Sequence, residues 1–249
     1  MIETLTDKVL WQAHWEAKKA ELLQPVPGDI DMHQVFRKFL QDHPAKTALE
    51  LGGFPGRYSI FLKKYLGIEA TFLDYQVNLP FFKKILEVNG LAENDITIID
   101  ADLFDYTPAK QYDLVYSLGF IEHFRDVREV IKHHIPFMKT GGSLFIMVPN
   151  LRGINGWVQK RIDRPVYDIH NIDCMDVQLL KNTCIELGLK NVEGRYDSGF
   201  GIWLFSPEKK SLFVKGFVKA LAFAGKVFTR IFPMENKLLS SCIIITAVK

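Results

Sequence analysis

Between residues 46 and 150, short apolar segments alternate with longer segments in which apolar residues recur every three or four positions. The short segments predict strands and the longer ones predict helices. The predicted strands cover residues 47–51, 70–74, 96–99, 112–117 and 142–148, and the predicted helices cover residues 58–65, 80–89 and 127–138. Repeated strand–helix–strand units require a parallel sheet with right-handed crossovers. The chain is therefore expected to form an open, doubly wound α/β domain with helices on both faces of the sheet.

The segments on either side of this core are expected to complete a single domain over residues 1–249. Residues 1–45 contain two predicted helices, over 7–23 and 32–41, which would form a helical cap. Residues 151–173 are polar and predict loops, and a helix over 175–187 and a strand from residue 189 towards 196 follow them. An apolar run over 241–248 predicts a closing strand.

The composition excludes several classes of protein. Hydrophobic residues make up 48% of the chain, which is too many for a disordered protein. The net charge of +2 is too small to indicate nucleic-acid binding across the surface. No apolar run reaches the roughly 18 residues that a membrane span needs. The polar first residues do not form a signal peptide and the three cysteines form no CxxC pair, so we expect a cytoplasmic protein with reduced thiols.

Candidate ligand-binding residues lie at the carboxyl ends of the predicted strands, where open parallel sheets bind ligands. The first strand runs into ELGGFPG over residues 50–56, whose glycines let the backbone approach a ligand before the next helix begins. The second strand ends at Asp74, which either accepts hydrogen bonds from ribose hydroxyls or caps the following helix. The third leads to Asp102 and Leu103. There Asp102 either binds the adenine amine, with the Leu103 N–H facing a ring nitrogen, or is a solvated loop acid.

These features occur in order, together with three further segments: YDLVYS at 112–117, IEHFRD at 121–126 and FMKTGGSLFIMVPN at 137–150. In this combination the chain resembles the class I S-adenosylmethionine-dependent methyltransferases of the small-molecule type. The resemblance is best over residues 46–150 and looser towards the end. It implies a mostly parallel, seven-stranded, Rossmann-like sheet with an antiparallel C-terminal strand. It also implies S-adenosylmethionine as the cofactor, held by residues 46–150, with substrate loops in residues 151–249.

The resemblance assigns roles to single residues. Three residues fall on the turn that surrounds the methionine part of the cofactor: Glu50, Gly52 and Gly56. Asp74 falls on the ribose acid, Asp102 and Leu103 fall on the adenine site, and Ser117 falls where the fourth strand passes beneath the transferred methyl group. The family usually has a glycine at the position of Phe54, so the Phe54 side chain is expected to displace the cofactor or reshape the turn. The adjacent Gly53 would then supply the lost flexibility to the cofactor-binding turn.

Methyl transfer from a sulfonium mainly requires alignment of the acceptor in a dry pocket. A hydroxyl acceptor also benefits from a general base, for which His123, His170 and Glu122 are the catalytic candidates. Shaping of the loop by Glu122 and His123, and a surface position for His170, are the alternatives. The sequence lacks metal-ligand spacings such as HxxxH and paired CxxC, so no metal site is predicted, although Glu122 and His123 leave a weak metal option. His133 and His134 are expected on a solvated helix edge.

The sequence favours a small-molecule acceptor, with oxygen preferred over nitrogen and carbon. No Asn/Asp-Pro-Pro-aromatic motif follows the fourth strand, which argues against adenine or amide methylation, and no Pro-Cys pair indicates cytosine C5 chemistry. Two other functions stay open. One is an NAD(P)-binding oxidoreductase, which shares the glycine turn and Asp74. The other is an inactive, membrane-peripheral protein of the same fold, suggested by Phe54. The expected pocket residues are Trp11, Trp15, Phe120, Trp157, Tyr167, His170 and Trp203.

Residues 208–232 form a basic amphipathic insertion. From residue 208 to residue 230 the net charge is +5. At about 100° per residue, Lys215, Lys219, Lys226 and Arg230 share one side of a helix and apolar residues take the other. Such a helix lies on an anionic membrane surface, covers a substrate cleft or packs against a second subunit of a homo-oligomer.

Overall fold

The computed structural model describes residues 2–202 and 210–249. Its helices are α1 Lys8–Ala17, α2 Lys19–Leu22, α3 His33–Asp42, α4 Arg57–Leu66, α5 Leu79–Val88, α6 Val127–His134, α7 Ile154–Ile162, α8 Arg164–Asp168, α9 Val177–Glu186 and α10 Leu212–Ile231. Its strands are β1 Thr47–Leu51, β2 Glu69–Asp74, β3 Ile96–Asp100, β4 Tyr112–Leu118, β5 Met138–Pro149, β6 Lys190–Phe200 and β7 Ser240–Val248. Short 3-10 turns cover Ile121–His123, Ile135–Phe137 and Ile172–Cys174.

The strands form one seven-stranded sheet in the order β3-β2-β1-β4-β5-β7-β6. Strands β1 to β5 are mutually parallel, whereas β7 runs antiparallel to both β5 and β6. The predicted doubly wound sheet with an antiparallel closing strand is therefore confirmed. The strand order reverses between β1 and β4, so their carboxyl ends flank the crevice in which open α/β sheets bind ligands.

The central strands are buried on both faces because their side chains alternate between two apolar clusters. Leu49 of β1 and Val115 of β4 belong to the cluster that contains residues of α6 and α9. Ala48 and Tyr116, one position away on the same strands, belong to the cluster that contains residues of α3, α4 and α5. Burial on both faces explains why the strands are apolar along their whole length.

Two predicted helices end or break earlier than expected. The helix predicted over 127–138 ends at His134, because Pro136 cannot continue it and residues 135–137 form a 3-10 turn before β5. The helix predicted over 7–23 breaks at Lys18 into α1 and α2. At both positions the helix ends although apolar residues still recur every three or four positions, so the apolar pattern does not reveal the end.

The region 151–173 was predicted to form loops, and that prediction is wrong, because it contains α7 and α8. Within α7, Ile154, Val158 and Ile162 recur every four residues, and Val158 is fully buried. A Cβ on Gly156 would lie 1.7 Å from the Leu151 carbonyl oxygen, so α7 packs on the preceding backbone at a distance that only glycine permits. These helices depend on tertiary contacts, which the polar composition of the segment conceals.

The N-terminal segment crosses the carboxyl edge of the sheet. The Leu5 N–H donates to the His123 carbonyl at 2.7 Å, and Thr4 forms a β-bridge with Phe124. Helix α1 follows, with the Asp7 carboxylate accepting a hydrogen bond from a backbone N–H of its first turn. Trp15 of α1 contacts the Phe54 ring edge-on at a centroid distance of 6.0 Å. Helix α1 therefore lies over the ends of β1 and β4.

Two further sequence-based expectations concern membranes and thiols. Within residues 2–202 and 210–249, no helix is long and apolar enough to cross a bilayer. Cys174, Cys184 and Cys242 are buried free cysteines. Burial raises the pKa of the Cys184 and Cys242 thiols to about 12, which keeps them protonated and unreactive at neutral pH.

Asp113, at the start of β4, fastens three strands together at the edge opposite the crevice. Its carboxylate accepts hydrogen bonds from the Thr47 N–H at 2.9 Å and from Lys139 Nζ at 2.7 Å. Desolvation raises its pKa, but the hydrogen bonds from Lys139 and Thr47 outweigh it and lower the pKa to about 2. Asp113→Ala is expected to lower the free energy of unfolding at pH 7 by about 2–3 kcal/mol.

Urea unfolding measures this effect. Asp42→Ala, at an exposed aspartate of α3, is the control. Because the folded-state pKa lies below the ordinary value of 3.8, the contribution is present above pH 4 and declines as the pH falls towards 2. A difference from wild type that is the same at pH 7 and pH 2.5 would contradict this assignment.

Candidate active site

The turn after β1 depends on glycines whose backbone no other residue adopts easily. Gly52 has φ +66°, and a Cβ there would lie 2.2 Å from the Phe120 ring. Gly56 has φ +75°, and a Cβ there would lie 2.7 Å from the Phe82 ring. A Cβ on Gly53 would lie 2.6 Å from the Phe72 Cβ. The glycines therefore let the turn at the carboxyl end of β1 pack directly beneath the Phe120 ring and against Phe72 and Phe82.

Phe54 lies at the position where the resemblance implies a glycine. Its side chain packs among other aromatic rings. It is 4% exposed and belongs to the apolar cluster that includes residues of α3, α4 and α5. Its ring contacts Phe72 of β2 and Trp15 of α1 edge-on. Its N–H donates to Asp74 Oδ2 at 3.1 Å. Phe54 thus joins the turn to α1 and to the end of β2.

Glu50 is a buried carboxyl group that fixes the start of the turn. Its Oε2 accepts hydrogen bonds from the Ser59 N–H and Oγ and from the Tyr116 hydroxyl, the last at 3.0 Å. These bonds connect β1 with the first turn of α4 and with β4. Burial outweighs the hydrogen bonds and raises the Glu50 pKa to about 7. The sequence did not indicate that Ser59 and Tyr116 form hydrogen bonds with Glu50, because each of the three residues lies on a different element.

Asp74 ends β2 beside the glycine turn. Its Oδ2 accepts from the Phe54 N–H and its Oδ1 accepts from the Gln76 N–H at 2.9 Å. Burial is the main cause that raises the Asp74 pKa to about 6, and the charge of Asp100 acts in the same direction. Asp100 is the register partner of Asp74 on β3, a juxtaposition that the sequence analysis did not identify. Each carboxylate oxygen has a second lone pair, so Asp74 can also accept hydrogen bonds from a ligand.

Asp102 and Leu103 follow β3 at the same edge. Asp102 is exposed, and its Oδ1 accepts from the Phe104 N–H at 3.0 Å. Leu103 is buried in the cluster that contains residues of α6 and α9. The structure thus brings both acids predicted from the sequence, Asp74 and Asp102, to the ends of two adjacent strands.

The Ser117 side chain is directed towards α6. Its hydroxyl lies 3.0 Å from His134 Nε2, and His134 Nδ1 lies 2.9 Å from the Val130 carbonyl oxygen. Burial lowers the pKa of His134 to about 4. The expectation that His134 is solvated is therefore wrong, because the histidine links β4 to α6 inside the core. While the Ser117 hydroxyl is bonded to His134, we expect the Ser117 backbone to make any contact with a ligand.

Glu122, His123 and His170 meet at the end of β4, although His170 is distant from the other two in the sequence. The rings of His123 and His170 have centroids 4.8 Å apart. Nδ1 of His123 lies 3.1 Å from the Ile169 carbonyl oxygen, and Nδ1 of His170 lies 2.6 Å from the Val166 carbonyl oxygen. One ligand atom from each of the three side chains lies within 4.8 Å of those of the other two. Among the residues that the structure describes, this is the one group of three or more His, Cys, Asp or Glu side chains whose ligand atoms lie close enough together to share a metal ion.

The three side chains of this cluster are poorly solvated. Burial raises the Glu122 pKa to about 8, lowers the His123 pKa to about 3 and lowers the pKa of His170. Glu122 is 1% exposed, and its Oε2 has no hydrogen-bond partner among the described residues. The Asn171 N–H donates to the Glu122 backbone carbonyl at 2.7 Å, which ties the two parts of the cluster together.

Aromatic rings of α1 and of the loop after β4 cover this edge. Trp11 meets the His123 ring edge-on at 5.2 Å and stacks on Trp15 at 5.6 Å. Phe120 lies above Gly52 and contacts Phe124 at 5.1 Å. Of the other pocket candidates, Trp157 is exposed and stacks on Arg161, and Tyr167 lies beside Lys160. Trp203 lies outside the described residues.

Comparison with known proteins identifies the family. Residues 29–193 match the family model described as a methyltransferase domain, which covers well over half of the chain. The chain belongs to the class I S-adenosylmethionine-dependent methyltransferases. The family, enzyme class and cofactor predicted from the sequence are therefore confirmed, and the oxidoreductase alternative is excluded. No curated protein matches the sequence.

Solved structures with the same fold include a methyltransferase from Archaeoglobus fulgidus, with a TM-score of 0.56 and 19% identity over 90% of this chain and 95% of that one. Phosphoethanolamine N-methyltransferase 2 of Haemonchus contortus, in complex with S-adenosyl-L-methionine, gives a TM-score of 0.60 and 13% identity over 87% of this chain and 52% of that one. A plantazolicin methyltransferase gives 0.55 and 10% over 97% and 89%. The chain spans about half of the Haemonchus contortus enzyme. At these sequence identities, the three comparisons show a shared fold alone.

The strand ends of this methyltransferase carry polar groups of the kind that the family cofactor needs. A Cβ on Gly52 would meet the Phe120 ring and a Cβ on Gly53 would meet the Phe72 side chain, so the glycines let these side chains pack directly on the turn. Two carboxylates, Asp74 and Asp102, stand at the ends of the next two strands. The Phe54 ring packs against Trp15 and Phe72 and is buried, so it does not project from the turn into solvent.

Replacement of the buried Glu50 by glutamine should change how stability depends on pH. The Glu50 pKa is about 7 in the folded protein, above the ordinary value of 4.5, so the folded state binds the proton more tightly. The stability that the protonated group provides is complete below pH 4.5 and is lost as the pH rises through 7. Relative to Glu50→Gln, the wild type should lose about 2–3 kcal/mol over this range, at about 1.36 kcal/mol per pKa unit.

Urea unfolding of both proteins from pH 4.5 to pH 8 measures the difference. The variant keeps an oxygen that can accept from Ser59 and Tyr116, and titration of Asp74 is common to both proteins. A wild-type minus variant difference that is constant over this range would show that Glu50 titrates normally in the folded state.

Proposed function

We propose that the methyltransferase transfers a methyl group to a small-molecule acceptor, with oxygen as the favoured atom and nitrogen or carbon as the other options. The observation that carries this proposal is the cluster of Glu122, His123 and His170 beside the glycine turn. A hydroxyl oxygen must lose its proton as it is methylated, so it gains from nearby bases. The relatives with solved structures include enzymes named for phosphoethanolamine and plantazolicin, which supports a small acceptor.

The proposed cofactor contacts follow the strand ends. Bare backbone at Gly52, Gly53 and Gly56 runs along the methionine part, with Glu50 holding the turn. Asp74 accepts hydrogen bonds from the ribose hydroxyls, while the Asp102 carboxylate and the Leu103 N–H hold the adenine. Ser117 contributes backbone beneath the reacting centre. When bound, S-adenosylmethionine supplies an electrophilic methyl group on a positively charged sulfur.

The proposed acceptor side is formed by the cluster and the aromatic rings of α1. His170 is partly exposed, and because its Nδ1 is engaged by the Val166 carbonyl, its Nε2 has the free lone pair. We assign to His170 Nε2 the acceptance of the acceptor proton, with His123 and Glu122 positioned behind it. Trp11 and Trp15 exclude water from this side, which favours in-line attack in a dry pocket. The buried free thiols support a cytoplasmic location.

Asp74→Ala should weaken S-adenosylmethionine binding by about 1.5–3 kcal/mol, the range for hydrogen bonds to a charged group. Isothermal titration calorimetry with S-adenosylmethionine, S-adenosylhomocysteine and NADH measures this, and NADH should not bind. Asp42→Ala, on α3 near the opposite edge of the sheet, is the matched control. Asp74→Asn keeps one acceptor oxygen and should fall between wild type and alanine.

Unchanged affinity in Asp74→Ala would reject the proposed cofactor site. The reaction itself is tested by incubating the enzyme with methyl-labelled S-adenosylmethionine and a small-molecule cell extract. Label should appear in the small-molecule fraction with wild type and be reduced with His170→Ala. Label found only in protein or nucleic acid would overturn the acceptor class.

We also propose that the methyltransferase contacts an anionic membrane surface through α10. The side of this helix that faces the protein includes Val218 and Gly225, where a Cβ would lie 2.1 Å from the Phe200 ring of β6. The opposite side is apolar and exposed, with Leu212 85%, Phe213 84% and Phe223 72% exposed. An exposed apolar helix face of this length is typical of an interaction surface.

The cations of α10 support a membrane as the occupant. At about 100° per residue, Lys215, Lys219, Lys226 and Arg230 fall between the buried side and the exposed apolar side. The helix contains no acidic residue. Cations that border an apolar face match the headgroup region of an anionic bilayer, where the apolar side chains enter the acyl boundary. A second copy of the chain would bury the same apolar face without needing these cations.

Co-sedimentation with phosphatidylcholine vesicles, with and without phosphatidylglycerol, tests the membrane contact. Wild type should bind the anionic vesicles, and Phe213→Ser/Phe223→Ser and Lys219→Glu/Arg230→Glu should each reduce binding several-fold. Leu179→Ser/Ile185→Ser removes exposed apolar side chains of α9 and is the matched control. Equal sedimentation of all variants would reject the proposal, and a smaller molar mass of Phe213→Ser/Phe223→Ser in light scattering would indicate a subunit contact instead.

A further inference from the structure

The cluster at the end of β4 has the composition and arrangement of a metal site. It combines one carboxylate and two imidazoles, which together form a common ligand set for zinc and related ions. We propose that Glu122, His123 and His170 bind one divalent transition-metal ion of the zinc class. This inference concerns ion binding by the free enzyme, and it does not depend on the identity of the methyl acceptor.

The two histidines are oriented as metal ligands are. Each ring has its Nδ1 within hydrogen-bond distance of a backbone carbonyl, that of Ile169 for His123 and that of Val166 for His170. A carbonyl oxygen can only accept, so Nδ1 carries the hydrogen in both rings and Nε2 keeps a lone pair. Hydrogen bonding of the second ring nitrogen to a carbonyl or carboxylate is the usual way in which a metal-bound imidazole is held.

Glu122 supplies the second, independent observation. Its side chain is 1% exposed, and Oε2 has no hydrogen-bond partner among the described residues. A buried carboxyl oxygen without a partner is costly, because it has lost its contact with water and gained nothing in return. A cation bound by the Glu122 carboxylate and the imidazoles would neutralise this buried charge.

The distances allow coordination after a small adjustment. One carboxylate oxygen of Glu122 and one ring nitrogen of each histidine lie within 4.8 Å of one another. Bonds of about 2.0–2.2 Å to zinc place tetrahedral ligands roughly 3.3–3.6 Å apart, so the side chains must close by about 1 Å. His170 can provide part of this movement, because it is partly exposed and follows the short helix α8.

The ligand set also indicates which ions the site would select. Magnesium, calcium and manganese prefer sites made of oxygen ligands, whereas two imidazoles favour zinc, copper, nickel or iron. Three protein ligands leave one coordination position open, as in sites where a zinc ion acts on a substrate. An acceptor hydroxyl bound there would have a lowered pKa, since a metal ion stabilises the bound oxyanion.

Ion binding would change which group takes up the proton that the methyl acceptor loses. With the ion present, the Nε2 lone pairs are used for coordination, so a coordinated hydroxyl loses its proton to solvent. Without the ion, His170 accepts the proton directly. Chelation would therefore lower methyl transfer in the first case and leave it unchanged in the second.

Cobalt(II) binding to the full-length protein, free of any polyhistidine tag and treated with a chelator, tests the site directly. Wild type should bind one Co²⁺ per chain by equilibrium dialysis with elemental analysis, and the complex should show the visible d–d absorption of a low-coordinate N/O site. Zn²⁺ should displace the cobalt and raise the melting temperature. Neither measurement requires S-adenosylmethionine or an acceptor, so the result is distinguishable from a failure of the proposed methyl transfer.

Variants connect the binding to these residues. Glu122→Gln and His170→Ala should each weaken Co²⁺ binding by at least about 10–100-fold, the effect seen even for outer-shell partners of metal ligands. His33→Ala is the matched control, because His33 Nδ1 also lies against a backbone carbonyl, that of Ile30, outside the cluster. Circular dichroism establishes that each variant is folded. Absence of stoichiometric Co²⁺ on folded wild type, or equal binding by wild type and both cluster variants, would overturn the proposal.

Discussion

The carboxyl group of Glu50 holds the point at which β1 turns into α4, and the rest of the crevice depends on that point. Its hydrogen bonds to Ser59 and Tyr116 fix α4 against β4 before any ligand is bound. Asp74 then fastens the other side of the turn through the Phe54 N–H. Burial raises the pKa of both groups, and the hydrogen bonds that they accept oppose that shift. The turn therefore has its shape before any ligand is bound.

Much of the core could be predicted because parallel strands buried on two faces have an unmistakable composition. β1 was predicted with its observed bounds, and the other core strands differ mainly at their ends, where hydrogen bonding extends the ladder. The helices α7 and α8 were not predicted, because Gly156 weakens the helical pattern of α7, α8 has only five residues, and the segment is polar. His134 was misjudged because only the fold places it against Ser117.

The site residues likewise divide into those that a local sequence pattern predicts and those that depend on contacts between distant parts of the chain. The common edge at which Gly52, Asp74 and Asp102 lie could be predicted because each ends or closely follows a parallel strand. The meeting of His170 with His123 depends on how residues 151–173 fold back, which no local pattern encodes. A helical cap was predicted, but its position over the ends of β1 and β4 was not, because backbone hydrogen bonds between the N-terminal segment and the loop after β4 set it. The role of Phe54 was open for the same reason: packing against Trp15 decides where its ring lies.

The proposed membrane surface and the proposed acceptor site share a continuous set of contacts. Lys210, just before α10, donates to the Ile162 carbonyl at 2.7 Å and forms an ion pair with Asp163 at 3.0 Å. Asp163 lies between α7 and α8, and α8 leads directly to His170. This ion pair is poorly exposed on both sides, so it is screened less by salt than a surface pair would be. A helix held at a membrane surface would thus restrain the segment that positions His170, which links where the enzyme sits to how its acceptor site is ordered.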